Sequence, residues 1–332
     1  MYNNIKLEKS LYNITGKTFT QALAELDPDS NYKDSELKGL DAFERQLKRF
    51  DIRVSGVNSD MVEKFFVTAQ SAVLFPEFVR RMIKKGIDEA SITEDICAAV
   101  TYTDSSDYRG LTLTNVDSQD YPNEGAQLPV TKVRLASQAK QLRKFARVMN
   151  CSYESIRKQR LDAFGVALRE LGASIARELN SFCTQELVSG ADDYTISGSS
   201  ISYADLADFW GKMNDHDMTV MLCTPADMAK ILALDEMKLC VSDFMASGRV
   251  RTPYGVTIVK CSQLADNTII GIDRSCAAEL ILGTDVIVDT DKLIGTQCDE
   301  ISCSIYAGIS KLTGAAVKVL KTAQDAEENS NG

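Results

Sequence analysis

A chain of 332 residues with 44% apolar and 25% charged residues has the balance of a globular protein large enough for more than one core. A net charge of −10 argues against nucleic-acid binding by the molecule as a whole, and no run of roughly eighteen apolar residues offers a membrane span. The amino terminus lacks the apolar core of a secretory signal, and nine scattered cysteines without a C-x-x-C pair fit a reducing cytosol.

Residues 1 to about 60 are polar and mixed in charge. Helical patches fall at Phe19–Leu26 and Leu40–Phe50, with Asp27-Pro28-Asp29 as a break between them. This segment reads as an arm. A helix follows within 65–87, with Pro76 in its first turn and Phe78, Met82 and Ile83 on one face. Arg80, Arg81, Lys84 and Lys85 are expected on its solvated face. From Ile92 to Val133 the chain reads as extended, with β-like runs at 100–103 and 111–114. So few apolar residues anchor 105–127 that a protruding hairpin is its natural home.

The stretch from Val130 to Asn150 predicts strands that feed one long helix, Ser152 to Gly190. Ser152 can cap its start and Gly190 can stop its end. Leu161, Phe164, Leu168, Leu171, Ile175, Leu179 and Phe182 recur every three or four residues, which makes one apolar stripe. Gly165 and Gly172 each cost about 1 kcal/mol relative to Ala, so another backbone is expected to approach there.

After Gly190 the patterning is α/β. A short helix from Tyr203 presents Leu206, Phe209, Trp210 and Met213. The apolar strand 218–223 runs into Thr224-Pro225-Ala226-Asp227, an N-cap followed by a first-turn proline and an acid at the positive helix end. Strands are expected at 256–261, 268–272, 279–282 and 286–289, then a long alternating one over 300–312. The acidic end from 322 to 332 lacks apolar anchors and should be disordered.

Chemistry is sparse. The single histidine, His216, has no nucleophile elbow near it in sequence, and one histidine without paired cysteines makes a structural zinc site improbable. Neither phosphate-cradling glycine loop occurs. The best enzymatic candidate is Asp289-Thr290-Asp291 at a strand end, where two carboxylates could hold the divalent cation of a nucleotide-sugar transferase. A backbone-bonding turn explains the same residues more simply, as a loop does for Asp192-Asp193. No catalytic, cofactor or metal residue is therefore expected.

Charge is uneven along the chain. Asp104, Asp107, Asp117, Asp120 and Glu124 stand against Arg109 alone in 101–127. Lys132, Arg134, Lys140, Arg143, Lys144, Arg147, Arg157, Lys158 and Arg160 stand against Glu154 alone in 132–160. The acidic segment of one subunit is expected to lie near the basic segment of the next, through Asp104, Asp107, Asp117, Asp120 and Glu124 on one side and Lys132, Arg134, Lys140, Arg143, Lys144 and Arg147 on the other.

In order, LFPEFVRRMIKKGI, EGAQLPVTKVRL, the basic strand and long helix, TPYGVTIV, NTIIGIDRSCAAELIL and VIVDTDKLIG resemble the major capsid proteins of tailed bacteriophages, the Hong Kong 97-like shell fold shared with encapsulins. The resemblance covers about 65–320 and rests on order and spacing. It implies an α+β fold with an N-terminal arm (1–70), an extended loop (98–133), a peripheral domain (134–200 and 296–321) around a spine helix at 152–190, and an axial domain (201–295). It also implies a non-enzymatic shell subunit that forms pentamers and hexamers around double-stranded DNA in a virion assembled in the bacterial host cytoplasm. The implied partners are itself, scaffold, portal and decoration proteins, and DNA without sequence preference. An encapsulin-like cargo shell is the nearer alternative and the transferase the remote one. In this fold Asp289-Thr290-Asp291 would be a turn leaving the axial sheet.

Overall fold

The computed structural model describes residues 5–116, 123–126, 128, 130–137, 139–196, 198 and 200–322, with backbone alone for 112–116 and 243. The acidic tail expected to be disordered lies outside these residues from 323 onward. Two compact units emerge, one of Met1–Ala90, Ala146–Ala176 and Val286–Ser304, the other of Ser91–Phe145, Arg177–Asp285 and Ile305–Gly332.

In the first unit the segment expected as an arm is built into a core. Leu7, Phe19, Leu23, Phe43, Leu47 and Phe65 are all buried. Helices Phe19–Leu26 and Ala42–Arg49 both start with capping boxes, Thr18 with Gln21 and Asp41 with Glu44. Arg45 and Asp27 are buried together, with Nε 3.0 Å from Oδ2. Tyr32 donates to the other Asp27 oxygen at 2.7 Å, so neither charge is left unpaired.

Helix Phe75–Ala90 begins one residue before Pro76. Its cations do not simply face water. Arg80 and Arg81 both donate to Glu77, which is fully buried, at 2.8 Å through their Nε atoms. Thr20 adds a hydroxyl at 2.7 Å. A buried carboxylate needs that company, which draws the two guanidinium groups off the solvated face.

The helix expected over 152–190 is interrupted. Ser152 caps a short helix, Tyr153–Arg157, and a second runs Leu161–Val188 before Gly190 turns at φ +70°. The interruption has a long-range cause. Val62 donates its N–H to the Gln159 carbonyl at 3.0 Å, and Leu161 donates to the Asp60 carbonyl at 2.8 Å. Those groups cannot then serve i→i+4 helical bonds. In this unit Leu161, Phe164, Leu168 and Ile175 of the predicted stripe are buried. A Cβ on Gly172 would lie 2.1 Å from the Ile83 carbonyl oxygen, and one on Gly86 would lie 2.0 Å from that of Arg169. The backbone approach expected at Gly172 is present, while Gly165 faces the Met82 side chain.

Strand Ile287–Leu293 pairs antiparallel with the 298–304 part of Cys298–Lys311, and this corrects the reading of Asp289-Thr290-Asp291. Those residues are mid-strand, opposite Ser302, Ile301 and Glu300, and form neither a turn nor a strand end. The pairing was hidden because Asp and Thr break the apolar alternation on an exposed strand.

In the second unit a six-stranded mixed sheet runs in the order Asp192–Thr195, Val317–Lys321, Thr268–Ile272, Val220–Cys223, Thr257–Lys260, Val250–Arg251. Its core gathers Met221, Ile258, Ile269 and Leu320 with Phe209 from helix Tyr203–Trp210 and Ile231 from helix Pro225–Leu232. Thr224 caps the latter helix, accepting the Asp227 N–H at 3.1 Å, as its sequence predicts. Asp192 and Asp193 belong to an edge strand instead of a loop, and they pair with Lys318 and Lys321 of the neighbouring strand. In the same unit, Ala99–Tyr102 lies parallel to Ala278–Leu282, which pairs antiparallel with Ala307–Lys311. Five of the nine free cysteines are buried. Among the described residues no helix is long and apolar enough to cross a membrane.

Candidate assembly surface

The hairpin expected at 98–133 begins as a two-stranded ribbon. Leu111–Val116 pairs antiparallel with Val130–Leu135, setting Leu111 opposite Leu135 and Leu113 opposite Val133. The ladder continues through Ala136 N–H to the Gly110 carbonyl at 2.8 Å, and through Leu142 N–H to the Ser106 carbonyl at 3.0 Å. Strand period puts Val133 and Leu135 on one side of their strand and Lys132 and Arg134 on the other. Val133 is 58% exposed and Leu135 62%, with Leu111 and Leu128 also open to solvent. A two-stranded ribbon with such residues uncovered is marginal in water by itself.

Its root, by contrast, is fixed. Glu279 is buried and accepts the Tyr108 hydroxyl at 2.8 Å on one oxygen and the Thr101 hydroxyl on the other. Burial, reinforced by the Glu279 charge, pushes the Tyr108 phenol upward from its ordinary range. Gly110 lies close to the strand Ala307–Lys311, where a Cβ would fall 2.3 Å from Ser310 Oγ and make that side chain shift. Leu142 packs over two glycines, reaching within 2.9 Å of where a Cβ would stand on Gly283 and on Gly308. Sequence reading passed over Tyr108, Glu279 and these glycines, since partners about 170 residues apart leave no periodic signal.

The charged residues proposed for subunit contact lie in different settings. Asp104, Asp107 and Glu124 are exposed, with Asp107 accepting a hydrogen bond from Ser105 at 2.8 Å, whereas Asp117 and Asp120 lie outside the described residues. Lys132 and Arg134 are exposed on the ribbon. Lys140, Arg143 and Lys144 are engaged within their own chain. Lys140 Nζ donates to Glu186 at 2.9 Å and to the Ile309 carbonyl at 3.2 Å. Arg143 stacks 4.5 Å above the Phe182 ring, and Lys144 sits 5.8 Å from that of Tyr306. Arg147 lies on strand Arg143–Ser152, in its 146–152 part. Burial, with the Lys140 charge beside it, lowers the Lys311 ammonium below its ordinary range. The acidic and basic segments also meet in one chain, since Asp107 faces Gln141 and Tyr108 faces Lys140 in the ladder.

Asp289 and Asp291 lie on an exposed strand, and the Asp291 carboxylate accepts the N–H of its own neighbour Lys292 at 2.7 Å. One group among the described residues, His216 with Asp273 and Cys276, has the side chains and spacing to hold a metal ion.

Comparison with known proteins agrees with the architecture. The family model described as phage capsid protein matches residues 136–295, just under half of the chain. No curated protein matches the sequence. Among solved structures, the virus-like particle from Pyrococcus furiosus superposes with a TM-score of 0.56 at 15% identity, covering 74% of this chain and 98% of that one. The capsid of a native GTA particle gives 0.52 at 11% identity, covering 71% and 90%. The capsid of Cyanophage P-SCSP1u gives 0.50 at 14% identity, covering 70% and 88%. The fold is the mixed α and β capsid-shell fold, and the matched family is one of virion components. The fold is thus like that of these capsid shells, and residues 136–295 are similar in sequence to the phage capsid protein family.

Proposed function

We propose that the chain is the major capsid protein of a tailed bacteriophage, a non-enzymatic subunit that builds pentamers and hexamers of an icosahedral shell around double-stranded DNA. The observation that carries this reading is the ribbon. It is anchored at its root by Glu279 and Leu142, yet Val133 and Leu135 are left uncovered along its length. Laid on a neighbouring subunit, such a ribbon gains the apolar cover that the described residues of its own chain do not supply. Head-to-tail contacts of this kind close into rings when the rotation is right.

In this reading the second unit's α/β sheet corresponds to the axial domain, and the helix Leu161–Val188 to the spine of the peripheral domain. The subunit's first partner is itself. Scaffold, portal and decoration proteins are further partners, and packaged DNA would be enclosed without base recognition. The virion is its final location, reached by assembly in the bacterial host cytoplasm.

Expression of the full chain followed by size exclusion and electron microscopy tests the proposal. Closed shells support it, and a persistent monomer with scaffold and crowding supplied would overturn it. Nuclease-protected double-stranded DNA in infected-cell particles separates a viral shell from an encapsulin-like compartment, which would enclose protein cargo.

A further inference from the structure

We propose that His216, Asp273 and Cys276 form a zinc-type metal site on the second unit. The sheet assembles it. Thr268–Ile272 pairs antiparallel with Val220–Cys223, so that Ile272 lies opposite Val220. The end of one strand therefore sits beside the start of the other, and Thr219 donates its N–H to the Ile272 carbonyl at 3.0 Å. His216 lies just before the second strand and Asp273 just after the first. A tight turn, with the Cys276 and Ala277 N–H groups both donating to the Asp273 carbonyl, brings Cys276 back over the same spot. The chain's one histidine thus meets a thiol and a carboxylate from a distant part of the sequence.

The geometry selects metal binding over proton relay. In a relay the thiol and the orienting carboxylate use opposite ring nitrogens of the histidine. Here both converge on one. Cys276 Sγ is 3.5 Å from His216 Nδ1, and Asp273 Oδ2 is 3.7 Å from the same nitrogen. Zinc bonds of about 2.0–2.1 Å to nitrogen and about 2.3 Å to sulfur, set at the tetrahedral angle, separate those two atoms by about 3.5 Å. The corresponding nitrogen-to-oxygen edge is about 3.3–3.5 Å. All three ligand atoms lie within 4.8 Å of one another, which a small inward movement closes around one ion.

The carboxylate is also held from behind. Asp273 is buried, and its Oδ1 accepts the Ser275 N–H at 3.0 Å and the Ser275 hydroxyl at 2.6 Å, while Oδ2 turns toward the histidine. Outer bonds of this kind orient metal ligands. Imidazole with thiolate favours zinc over magnesium or calcium, and three protein ligands leave a fourth position to water. Binding displaces the thiol proton to solvent as the sulfur–metal bond forms.

The test is alkylation of the purified full chain with and without Zn²⁺, followed cysteine by cysteine through peptide mass spectrometry. Zn²⁺ should slow modification of Cys276 by roughly tenfold or more, while half-buried Cys151, Cys240 and Cys298 react as before. His216→Gln should abolish the protection. Co²⁺ should give a thiolate-to-metal charge-transfer band that Cys276→Ser removes. Alkylation of wild-type Cys276 that ignores Zn²⁺ overturns the proposal without recourse to any variant, as does a cobalt band that survives Cys276→Ser.

Discussion

Gly172 lies against the main chain of Ile83 so closely that a methyl group on it would stand 2.1 Å from the carbonyl oxygen, and Gly86 repeats the relationship against Arg169. Each of the two helices supplies one glycine to the other's backbone. Gly→Ala inside an exposed helix ordinarily stabilises by about 1 kcal/mol. At Gly172 and Gly86 the sign should reverse, with a loss of about 1–3 kcal/mol from overpacking. Chemical denaturation of the Gly172→Ala and Gly86→Ala chains measures it. Neutral or stabilising values would show that these helices separate easily.

Glu77 should make the first unit acid-sensitive. Burial works against its charge, but hydrogen bonds and charge from Arg80 and Arg81 outweigh burial and hold the carboxyl below its ordinary range. A group lowered on folding contributes stability that is present above the unfolded carboxyl range and is lost as pH falls through the folded value. Unfolding midpoints from pH 7 downward should therefore drop, and Glu77→Gln should flatten that drop while costing about 3 kcal/mol at neutral pH. Parallel acid limbs for the two proteins would assign the sensitivity elsewhere.

The Arg45 and Asp27 pair invites a simpler measurement. Arg45→Leu leaves the Asp27 carboxylate buried without its guanidinium, with Tyr32 and Gln46 among the donors that remain. A loss of about 3–5 kcal/mol is expected, read as a lower thermal midpoint. Replacing both, as Asp27→Asn with Arg45→Leu, should recover part of it.

Lys140 and Lys132 should respond differently to charge reversal. Lys140→Glu meets Glu186 within its own chain, and the double exchange Lys140→Glu with Glu186→Lys should restore the monomer's stability, a difference of about 0–1 kcal/mol. Lys132→Glu should leave folding within about 0.5 kcal/mol yet reduce particle yield. If Lys132→Glu assembles normally, the basic side of the ribbon does not touch a neighbour.

Val133→Asp and Leu135→Asp probe the other side of the same strand. Both residues are exposed in the single chain, so circular dichroism and midpoint should hold to about 0.5 kcal/mol. Particle formation, followed by light scattering, should fail. Normal shells from both variants would remove the ribbon from the assembly contact.

Local signals carried well through this chain. Phe19–Leu26 and the Thr224 cap were readable because a helix start is written within four residues. The long helix was readable as a stripe, and its interruption was not, because the bonds responsible come from residues 60–62. Likewise the acidic and basic runs were visible as composition, but Lys140 and Arg143 had already found Glu186 and Phe182 in their own chain. Glu279 joins Thr101 and Tyr108 across just over half the sequence, and His216 meets Cys276 through a strand pairing. Periodicity reports which face is apolar and is silent on what a single polar side chain will reach.

The short stretch 60–62 has a consequence for processing. It occupies the donor and acceptor that residues 159 and 161 would need to continue one helix into the next. A protease cut upstream of residue 60 spares that stitch, whereas a cut that frees 60–62 releases it. Three residues of peptide backbone, far away in sequence, thus hold the stop between the two helices.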